Sequence, residues 1–196
     1  LEKIVKHSQN KKAIKAKNDL ITIDEIHYSE EDRFSTGIEE LDRVVGGGLL
    51  KGSLSLLGGE PGIGKSTLIL ELCRYFPNKI VYVSGEESTN QLGRRCNRLG
   101  IRNKNLLLMQ ETVWENIKST VLKEKPELFI LDSIQTTVSA DINAVAGSPS
   151  QIKEIAFELM ELCKTNNITS IAIGHITKEG TIAGPKLLEH MVDTAL

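Results

Sequence analysis

No stretch of the 196-residue sequence approaches the ~20 consecutive apolar positions of a membrane-spanning helix, and its lysine-rich start lacks the apolar core of a signal peptide. A cytoplasmic setting with no membrane partner is therefore expected. Cysteine is scarce as well. Cys73, Cys96 and Cys163 stand far apart, with no Cys-x-x-Cys pair and no histidine at zinc-finger spacing. That pattern excludes a disulfide framework and a zinc centre, and leaves buried, reduced thiols as the expectation. A formal net charge of −2 supplies no overall attraction to nucleic acid, so any such contact has to come from local basic patches. Internal repeats and low-complexity segments are missing too.

What is present is a chain long enough to bury one sheet between helices, with the 40% hydrophobic and 26% charged content of a globular domain rather than a disordered one. From about Arg33 onward, short apolar runs alternate with helical patterns, the signature of βα units and a mostly parallel twisted sheet with helices on both faces. The spacing predicts strands over 53–57, 80–83, 106–108, 128–131 and 168–173, and helices over 65–75, 89–99 and 112–123. Ser148-Pro149-Ser150-Gln151 reads as a capping box with proline at the first helical position. Residues 34–196 are read as the core. Residues 1–33, with Lys3, Lys6, Lys11, Lys12, Lys15 and Lys17 crowded at the start, are read as a solvated arm or linker.

Between the first strand and the first long helix lies Gly59-Glu60-Pro61-Gly62-Ile63-Gly64-Lys65-Ser66-Thr67. Its glycines leave backbone N–H groups free to converge on an anion, the helix adds its positive end, and Lys65 reaches the outer phosphates as a point charge. Ser66 is placed to ligate Mg²⁺. A magnesium-bound triphosphate also needs a carboxylate for the metal's water shell and a base for the attacking water. Asp132 ends the apolar 128–131 run and suits the first role. Glu86 and Glu87 follow the 80–83 strand, at the carboxyl edge where parallel sheets bind ligands, and suit the second. Spacing alone does not choose between them.

Several blocks together resemble the bacterial RadA (Sms) family of RecA-type ATPases. They are the run from Phe34-Ser35-Thr36-Gly37 to Gly46-Gly47-Gly48, the glycine loop, Tyr82-Val83-Ser84-Gly85-Glu86-Glu87-Ser88, Leu131-Asp132-Ser133-Ile134-Gln135-Thr136, and Gly174-His175-Ile176-Thr177-Lys178-Glu179-Gly180. The ending Ala183-Gly184-Pro185-Lys186-Leu187-Leu188-Glu189-His190-Met191-Val192-Asp193-Thr194 matches as well. The resemblance implies a RecA-like P-loop fold and a DNA-dependent ATPase of recombination and repair. Such a protein forms homo-hexameric rings, uses ATP and Mg²⁺, moves along single strands, acts on branched DNA and works beside a recombinase. It assigns Lys65 and Ser66 to phosphate and metal, Asp132 to the metal, Glu86 to water activation, and His175 to sensing the outer phosphate. It places Arg95 beside the nucleotide base, although a solvated helix face shared with Arg94 and Arg98 remains open. Lys178 and Lys186 would meet DNA phosphates from flexible loops over 139–150 and 177–189, in sequence-independent, salt-sensitive contacts.

The family also carries a four-cysteine zinc module, a Lys-Asn-Arg-Phe-Gly motif and a Lon-protease-like domain, none of which occurs in these residues. A core truncated at its C-terminal end is therefore expected, with nucleotide binding surer than turnover. Two other readings stand beside the DNA-dependent ATPase: a KaiC-like regulatory ATPase or kinase, and a nucleotide-gated assembly module with little turnover.

Overall fold

The computed structural model describes residues 22–25, 32–175 and 188–196. The chain divides into two compact units, Leu1–Glu30 and Glu31–Leu196. Of the first, a short 3-10 turn at Ile23–Glu25 is described, and the lysine-rich start lies outside the described residues.

The second unit opens on β1 (Arg33–Phe34), which pairs antiparallel with β2 (Leu49–Leu50) around the short helix α1 (Glu39–Val44). Asp42 locks the turn. Its carboxylate accepts the Thr36 N–H at 2.7 Å and the Ser35 and Thr36 hydroxyls at 2.6 Å each. Burial opposes its ionisation, but these hydrogen bonds outweigh burial and hold its pKa below the usual range. Gly48 is required here, since it sits at φ 126° and a Cβ would come within 2.4 Å of the Phe34 carbonyl oxygen.

Six parallel strands follow: β3 (Leu54–Gly59), β4 (Ile80–Ser84), β5 (Leu106–Gln110), β6 (Leu128–Asp132), β7 (Thr169–His175) and β8 (Thr194–Ala195), in the order β5-β4-β6-β7-β3-β8. Side chains alternate between the faces of a strand. Val81, Val83, Phe129 and Leu131 therefore meet α4 (Trp114–Glu124) and α5 (Pro149–Asn166) on one face. Ile80, Tyr82, Leu128 and Ile130 meet α2 (Lys65–Tyr75) and α3 (Thr89–Leu99) on the other. Strands buried on both faces read as unbroken apolar runs, which is why 80–83 and 128–131 were recognisable. All three cysteines are buried free thiols, and burial raises the pKa of each. Among the described residues, no helix is long and apolar enough to cross a membrane.

The observed boundaries depart from the expected ones where pairing or side chains decide them. β5 runs on to Gln110 because Met109 and Gln110 pair with Val83 and Ser84, and β7 reaches His175 because Gly174 and His175 pair with Gly58 and Gly59. The helix expected over 112–123 begins at Trp114, since the Glu111 carboxylate captures the Thr112 and Val113 N–H groups in a turn ahead of it. β8, two residues long and held by backbone pairing to β3, carries no periodicity and was not anticipated.

Only half of the expected capping box forms. Ser148 accepts the Gln151 N–H, with Pro149 in the first turn, but the Gln151 side chain does not return to it. The buried amide instead accepts from Ser139 N–H and donates to the Ser139, Ile142 and Ala144 carbonyls. Glu115 adds contacts to Ser139 Oγ and Ala140 N–H, so the front of the 139–150 stretch, expected as a flexible loop, is anchored to α4 and α5.

Phe129 is fully buried in the middle of the sheet. Phe129→Ala should cost about 3–5 kcal/mol of stability. The check is urea denaturation, in which the midpoint falls with little change of slope. An unchanged midpoint would mean that β6 is not central to the core.

Candidate nucleotide site

Four strands deliver the site, because parallel strands end on the same edge. β3 runs into the glycine loop, β4 into Glu86, β6 ends at Asp132 and β7 ends at His175. Register fixes their spacing: Ser84 pairs with Asp132, Asp132 with Ile173, and Gly59 with His175. An open cleft of about 500 Å³ results, lined by Pro61, Gly62, Gly64, Lys65, Ser66, Thr67, Glu86, Arg95 and His175.

The loop is shaped by backbone freedom. Gly62 and Gly64 sit at φ 80° and 109°, values that a side chain would strain, although a Cβ at either would meet no neighbour within 4 Å. Gly64 also caps α2 with no side chain to satisfy the first N–H groups, which leaves them and the helix dipole available to an anion. Lys65 is buried, and its Nζ donates to the Gly59 and Glu60 carbonyls at 2.7 and 2.9 Å. Burial lowers its pKa, while the negative charges of Asp132 and Glu86 act in the opposite direction. Glu60 thus contributes its carbonyl, and the Ile63 side chain points to solvent at 71% exposure rather than lining the cleft.

The two adjacent acids are separated by their partners. Glu86 Oε1 accepts the Ser133 hydroxyl at 3.1 Å and lies 3.2 Å from His175 Nε2. Glu87 turns away into an ion pair with Arg95 at 2.7 Å. Ser84 Oγ accepts both backbone N–H groups, and Gly85 is enforced because a Cβ would lie 2.2 Å from Thr136 Oγ1. Arg95 stands at the cleft, and next to it a second hollow is lined by Glu87, Gln91, Arg94, Arg95 and Arg98. Asp132 lies beneath the cleft, buried, with Oδ2 accepting the Tyr82 hydroxyl. Among the described residues the buried His175 Nδ1 has no partner, and the His175 carbonyl accepts from Gln135 Nε2.

Lys178 and Lys186 lie outside the described residues. Tyr82, Ser133 and Gln135 were missed in the sequence. Tyr82 pairs with Ile130, so its ring is the diagonal same-face neighbour of Asp132, a relation that only the strand register reveals.

Among the described residues no group of three or more His, Cys, Asp or Glu could hold a metal by itself. The oxygens of Ser66 and Asp132 are the hard donors that suit Mg²⁺, which is commonly held by one or two protein ligands together with the phosphates of a nucleotide.

A family model described as an AAA domain matches residues 22–181. The chain belongs to the AAA domain family. Its relatives narrow the comparison. The DNA repair protein RadA of Aquifex aeolicus is 52% identical over 169 residues, 85% of this chain and 38% of that protein. RadA of Bacillus subtilis is 49% identical over 177 residues, 89% of the chain and 39% of that protein. RadA of Streptococcus pneumoniae is 49% identical over 167 residues, 84% of the chain and 40% of that protein. The AAA domain thus spans about two fifths of the length of these relatives. Its fold is a P-loop core with a RecA-like α/β sheet.

Lys65→Ala should weaken ATP binding by roughly ten- to hundred-fold, the scale of a charge-assisted contact. Titration calorimetry with a non-hydrolysable ATP analogue reads it directly. Wild-type affinity would remove Lys65 from the phosphate site.

Proposed function

We propose that this AAA domain binds and hydrolyses ATP as the motor core of a DNA repair protein, coupling turnover to movement along single-stranded and branched DNA. The observation that carries this reading is the meeting of Lys65, Glu86 and His175 in one cleft, above Asp132, in a chain about half identical to RadA proteins.

Lys65 is held by its own loop carbonyls, so its ammonium is already oriented toward the place where the outer phosphates sit. The α2 N–H groups and the loop backbone bind the remaining phosphate oxygens. Ser66 and Asp132 would hold Mg²⁺, which would supply charge neutralisation to the phosphates. Glu86 orients the attacking water and takes its proton, with Ser133 and His175 fixing the carboxylate. His175 touches that same carboxylate at the end of β7, and this contact supports reading it as the link between phosphate state and DNA. Arg95, oriented by Glu87, borders the space for the base.

On this reading Lys178 and Lys186 meet DNA phosphates inside a homo-hexameric ring, a recombinase is the working partner, and the setting is cytoplasmic. The 139–150 stretch carries no lysine or arginine, so its contacts with DNA would be made by backbone N–H groups and by hydroxyl or amide side chains.

Glu86→Gln should leave ATP affinity near wild type and reduce phosphate release by roughly 10²–10⁴-fold. Glu87→Gln should retain turnover. Both are read by phosphate release with and without single-stranded DNA, which should stimulate the unsubstituted chain. Turnover that survives Glu86→Gln but stops in Glu87→Gln would reverse the assignment, and the absence of DNA stimulation in this chain and in a longer protein containing it would remove the motor role.

A further inference from the structure

The roles above leave Tyr82 unused. It is fully buried on β4, packed in the cluster that includes Ile69, Leu70 and Leu72 of α2. Packing explains the ring but not the hydroxyl, since phenylalanine would fill the same space without bringing a polar atom that needs a partner. That partner is Asp132: the phenol donates to Oδ2 at 2.5 Å, and among the described residues no other hydrogen bond reaches this carboxylate. Burial raises the tyrosine pKa, the Asp132 charge raises it further, and the nearby Ser66 hydroxyl acts in the opposite sense. The phenol is the donor of this contact, since a carboxylate only accepts. It also lies beside the second residue to which a metal role has been given.

We infer that Tyr82 is a positioning residue for the metal-bearing nucleotide: its hydroxyl occupies Asp132 Oδ2 next to Ser66, fixing the carboxylate so that Oδ1 is presented to the metal's water shell. The inference rests on the reading of Ser66 and Asp132 as the metal site. Without the phenol, the carboxylate is free to rotate about its last torsion, a broad and roughly two-fold rotor. The metal would then have to order it on binding. Supports of this kind around metal ligands commonly change affinity without touching the ion.

The test uses the 196-residue chain and measures ADP binding by calorimetry, once in EDTA and once as Mg²⁺ is titrated. Tyr82→Phe should raise the Mg²⁺ concentration for half-maximal tightening of ADP binding by roughly five-fold, the scale of one net hydrogen bond, and leave affinity in EDTA unchanged. Asp132→Asn in parallel should raise the Mg²⁺ requirement further. A shift in Asp132→Asn with none in Tyr82→Phe overturns the role of Tyr82 and spares the metal site. No shift in either overturns both. A loss of ADP affinity in EDTA for Tyr82→Phe makes the residue merely structural and also overturns the inference. A measurement without substitution stands beside these: in the ¹³C-tyrosine-labelled chain bound to ADP, Mg²⁺ should move the Tyr82 ring resonances and leave those of Tyr75, at the exposed end of α2, in place. A Tyr82 resonance that ignores Mg²⁺ counts against the proposal.

Discussion

Lys65, Glu86, Asp132 and His175 depend for their relative positions on one hydrogen-bonded ladder, the parallel register that runs from β4 through β6 and β7 to β3. A slip of one residue in any pair would turn the whole strand over and send its functional end to the opposite face. The register is protected by burial. Val81, Val83, Phe129 and Leu131 on one side, and Ile80, Tyr82, Leu128 and Ile130 on the other, are each at most 2% exposed, so a slipped strand would have to repack both cores. Stability of the sheet and accuracy of the site are thus the same property.

Within that frame, electrostatics determine how the edge is used. Burial lowers the pKa of Lys65 against the opposing charges of Asp132 and Glu86, and two loop carbonyls hold its ammonium in place. Glu86 is likewise held rather than free, between a hydroxyl and an imidazole. Both groups are organised before substrate arrives, which limits the reorganisation that binding has to drive.

Much of this was legible in the chain, for reasons specific to each residue. The glycine loop is a local signature, since its function resides in backbone geometry and a lysine at fixed offset, and Lys65 therefore stood out at once. Asp132 was visible because it ends a run buried on both faces. Glu86 and Glu87 were indistinguishable by spacing, and their separation required Arg95, a residue one helix further along, to claim one of them. Tyr82 was concealed by its own chemistry, for an aromatic in an apolar strand reads as core and its polar tip reveals itself only through the diagonal contact across β4 and β6. β8 had no signal to give, because two residues paired through their backbone need no pattern.

The grip of Gln151 on the segment ahead of α5 has a mechanical meaning. One amide, planted in the first turn of an 18-residue helix, gathers backbone groups of Ser139, Ile142 and Ala144. The segment is thereby tied to the helix, and substituting that amide would leave four backbone groups ahead of α5 in search of other partners.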